Sequence, residues 1–66
     1  MKNLALQLKN LGITEYDLQD VLNALYTSDY ELLETSLGYV CDILETHDVQ
    51  ITVNSIKPIY NLIITL

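Results

Sequence analysis

Positive charge is what this 66-residue chain has least of: Lys2, Lys9 and Lys57 are its only cations, set against nine carboxylates for a net charge of −6. A nucleic-acid reader draws much of its affinity from Lys and Arg on phosphate, so so few cations exclude that class as a direct binder. Cysteine is nearly absent too. Cys41 is alone, which rules out an intrachain disulfide, and one Cys with one His falls short of the about four ligands of a structural zinc site. A lone thiol fits a reducing, cytoplasmic setting. Glycine and proline number two and one, too few for a turn-rich or disordered chain. No apolar run is long enough to cross a bilayer: the greasiest, Ile59 to Leu66, has eight residues, and a spanning helix needs about 20. At the N-terminus Gln7, Lys9 and Asn10 interrupt the apolar residues before a signal-peptide core of about seven accumulates, so none is expected.

Half of the residues are hydrophobic, enough to fold one small domain over residues 1–66. A domain of this size buries only about 60% of the surface of its unfolded chain, and such a core supplies about 3–5 kcal/mol, so reinforcement by homodimerisation is expected.

Leu4, Leu8 and Leu11 recur at helical spacing and Gly12 follows as a helix stop, which predicts a first helix over about 2–11. Thr14 and Asp17 form a capping-box variant at the head of a second helix, about 15–26, whose Leu18, Val21, Leu22 and Leu25 share one face. Ser28 and Glu31 have the same spacing and predict a third and longest helix over about 29–46, with Leu33, Leu37, Val40 and Leu44 as its apolar stripe and the central position in the fold. After Asp48 the apolar period shortens to two. Val49, Ile51 and Val53 alternate with polar residues, 54–58 carries turn chemistry, and Tyr60, Leu62, Ile64 and Leu66 alternate in a β-branched run. A closing β-hairpin, strands about 49–53 and 59–66, is therefore predicted in a mainly helical α+β fold. A fourth helix, giving an all-α four-helix bundle, is the alternative, because Ile56, Ile59, Tyr60 and Ile63 also keep helical spacing with Pro58 near the start.

Three helices and a hairpin resemble the element order of winged-helix domains. The stretch from Leu8 to Val21 also partly resembles a helix-turn-helix, through Leu8, Gly12, Ile13, Thr14, Leu18 and Val21. Charge separates the shape from its usual use: the second and third helices offer acids and no cation, so a winged-helix-like shape here implies a protein partner and no direct nucleic-acid binding.

All nine carboxylates lie between Glu15 and Asp48, a run of 34 residues without a Lys or Arg. Such a block projects a field of one sign. On the third helix Glu31, Glu34, Asp42 and Glu45 fall about 100–180° from Leu33, an acidic ridge about 20 Å long at about 1.5 Å per residue. The like-charged i,i+3 pairs, Glu31 with Glu34 and Asp42 with Glu45, each cost a few tenths of a kcal/mol, which invites a functional compensation. Gly38 in the same face costs about 1 kcal/mol relative to Ala and either admits a partner's backbone or marks a bend.

Catalytic readings are weaker. Cys41 borders an apolar face with Asp42 beside it and reads as an inert thiol; His47 reads as a helix-end or solvent-exposed residue, about 120° out of phase with Cys41. A solvated pair such as Glu31 and Glu34 lacks the dry concave site that acid–base work needs, and the EF-hand spacing is absent. The expectation is a non-enzymatic regulator or inhibitor without cofactor or metal that binds a basic surface of a protein partner by nucleic-acid charge mimicry, by analogy with phage and mobile-element inhibitors. Its footprint is Glu31, Glu34, Asp42 and Glu45, with Glu15, Asp17 and Asp20 as a second patch and Tyr30 or Tyr39 as aromatic anchors. The alternative is a structural or assembly module that homo-oligomerises through Tyr60, Leu62, Ile64 and Leu66 on an exposed edge strand.

Overall fold

The computed structural model describes residues 2–66. Its first helix, α1 (Lys2–Asn10), buries Ala5 and Leu8. It ends in two backbone bonds: Gly12 N–H to the Lys9 carbonyl and Ile13 N–H to that of Leu8, both 3.1 Å. Gly12 takes φ +94°, the left-handed conformation this closure requires. Ile13, carried past the turn, is fully buried with Leu8.

Helix α2 (Glu15–Thr27) starts on the predicted capping box. The Thr14 N–H donates to Asp17 Oδ2 at 2.7 Å and Asp17 N–H to Thr14 Oγ1 at 3.4 Å. The start of α3 (Tyr30–Thr46) differs from expectation: Asp29, not Ser28, caps it, accepting the Leu32 N–H at 3.1 Å. Ser28 instead closes α2 with φ 55°, while Asp29 N–H reaches back to the Ala24 carbonyl at 2.9 Å. The same closure ends α3, where Asp48 has φ 59° and Val49 N–H donates to the Leu44 carbonyl at 3.0 Å.

The predicted hairpin does not form. Residues 49–52 are irregular, and the rest of the segment is a fourth helix, α4 (Val53–Thr65), with Pro58 inside it. No strand occurs among the described residues, so the fold is all-α and the fourth-helix alternative is the correct one. The physical reason is burial. Ile56, Ile59 and Ile63 lie within about 60° on a helix, one stripe that can bury together, whereas in strand 59–66 Ile59 and Ile63 would fall on the face opposite Tyr60, Leu62, Ile64 and Leu66. All three isoleucines are buried. Pro58 removes one hydrogen bond, to the carbonyl of Asn54, and Asn54 is exposed, so water can satisfy that oxygen.

Helix contacts run in the order α1–α4–α2–α3: α4 packs on both α1 and α2, and α3 packs on α2. The central position belongs to α2 and α4, not to α3, which is an outer helix. Nor do α1 and α2 pack on each other, so neither the wing nor the helix-turn-helix pairing survives. One apolar core unites all four helices, with Leu8, Leu18, Val21, Val40, Ile56 and Ile59 fully buried. No polar or charged residue is buried among the described residues.

Candidate protein-binding face

Among the helices α3 packs only on α2, and near its C-terminal end the 49–51 connection also lies against it, sharing a notch with Cys41, Leu44 and Glu45. Val40 and Leu44 are its buried residues, with Leu33 and Leu37 half-buried beside them. The ridge residues Glu31, Glu34, Asp42 and Glu45 are all exposed. Gly38 sits between the two acidic pairs, and a Cβ built there would meet nothing within 4 Å. Packing inside the chain therefore gives no reason for glycine at this position.

The second predicted patch is divided. Asp20 is exposed and Asp17 half-buried, and Asp17 Oδ2 is held by the Thr14 N–H and hydroxyl at 2.7 and 3.1 Å. Both aspartates line a shallow notch of about 280 Å³ between α2 and α3, with Thr35, Ser36 and Tyr39. Tyr39 therefore belongs with Asp17 and Asp20. It is about 60° further round α3 than Asp42, at the margin of the ridge. Glu15 belongs to neither group; though in the same first turn of α2 as Asp17, it lines a different cleft, with Lys9, Tyr16 and the end of α4. Tyr30, in the first turn of α3, is exposed beside Glu31.

The C-terminal set is divided as well. Tyr60 and Leu62 are half-buried against the core, while Ile64 and Leu66 are exposed. The edge-strand mode of association proposed for these four residues falls with the hairpin. Tyr16, exposed next to Ile64 and Leu66 in the same cleft, was missed by sequence reasoning. Reading α4 as a helix would have set Ile64 off the buried stripe, but nothing local to Tyr16 announces its neighbours.

Cys41 is half-buried and free. It borders a small notch with Leu44, Val49 and Ile51, the residues where the α3–α4 connection folds back. His47 caps the end of α3 and is exposed. No group of three or more His, Cys, Asp or Glu side chains among the described residues is placed to hold a metal ion, and no described helix is long and apolar enough to cross a membrane. Comparison with protein-family models, curated proteins and solved structures finds no match to this chain.

Proposed function

We propose that this chain is a small non-enzymatic regulatory or inhibitory protein that lays the acidic face of α3 on a basic surface of another protein, one that otherwise holds nucleic acid. The observation that carries the reading is the joint exposure of Glu31, Glu34, Asp42 and Glu45 on an outer helix. Fourteen residues of helix separate Glu31 from Glu45, about 21 Å, and one DNA strand places about six phosphates in that length at about 3.4 Å each. Four carboxylates over the same distance approach the charge density of one strand and fall well short of a duplex. The mimicry therefore suits a groove that reads a single backbone.

Reversal of Glu34 and Asp42 to Lys tests this. Both side chains are exposed, so the fold should persist by circular dichroism while capture of a basic protein from the native cell is lost. Wild-type capture should weaken on raising salt from about 0.1 M to about 1 M, where the screening length falls from about 10 Å to about 3 Å. Equal retention of the same protein by the wild-type and doubly reversed chains would remove the ridge from the interface. A second reading, assembly of the chain with itself, draws on the exposure of Ile64 and Leu66 at the end of α4.

A further inference from the structure

We draw no further inference here: the strongest candidate, the cleft of about 390 Å³ where the exposed Ile64 and Leu66 at the end of α4 meet Tyr16 at the α1–α2 corner, carries nothing because nothing in the structure shows what covers it.

Discussion

The helix pair α2–α3 and the helix pair α1–α4 are built on opposite terms. Helices α2 and α3 are consecutive, turn on Ser28 and Asp29, and together with their flanking residues carry all nine acids. Helices α1 and α4 come from opposite ends of the sequence and carry all three lysines and no acid. The first pair forms from local contacts; the second requires closure of the intervening 11–52 segment, whose entropy cost grows only slowly with its length. Charge is thus segregated by topology: the contiguous pair presents the acidic ridge, while the apolar cleft forms where the end of α4 meets the α1–α2 corner. Like charges concentrated on α2 and α3 would repel across a core, yet the ridge acids of α3 are exposed while its Val40 and Leu44 are buried in the core. The two surfaces therefore differ in kind, the ridge carrying four exposed carboxylates and the cleft exposed apolar side chains with one lysine and one glutamate in its lining.

The largest effect should come from the long-range pair. Ile59 is fully buried on α4, and Ile59→Ala should cost about 3 kcal/mol in urea unfolding. Because α4 is what joins α1 to α2, amide exchange in α1 should quicken together with that in α4; α1 amides that stay protected would break the contrast drawn between the two pairs. A smaller loss is expected on the local pair from Thr14→Ala, which removes one side of the capping box and should cost about 1 kcal/mol. A loss near zero would mean that α2 begins where it does because of Gly12 and Ile13 rather than its cap. Gly38→Ala should act in the opposite direction, raising stability by about 0.8 kcal/mol, since a Cβ there meets nothing within 4 Å. A destabilised Gly38→Ala would sharpen the comparison differently, by showing that α3 needs glycine for a conformation of its own.

Much of the local pair was legible in the sequence. The first three helices have bounds within one residue of expectation, because Gly12, Thr14 and the leucine spacings act locally. The other two left-handed closures were not legible, since Ser28 and Asp48 occupy them without the glycine that announced the first. Nor was α4. The run from Ile59 to Leu66 alternates and is β-branched, so its local preference was for a strand, and side-chain preferences of this kind give way to burial. The ridge was readable because its four acids lie on a helix whose register the leucines had fixed. Its separation from Glu15, and the joining of Tyr39 to Asp17 and Asp20, depended on how α2 and α3 were placed against each other.

By itself the sequence determined the one-signed charge of the middle segment, the first three helices and most of the faces those helices bury, because periodicity, caps and charge are properties of neighbours along the chain. Leu25, expected on the core face of α2, is exposed, and Ala24 is buried in its stead. Only the tertiary structure decided that the last segment is a helix, that α2 and α4 rather than α3 are central, and that Lys9, Glu15, Tyr16, Ile64 and Leu66 meet around one cleft. The reason is that an ambiguous apolar segment takes the form that fills the remaining space. That space, between α1 and α2, exists only once the other helices are placed.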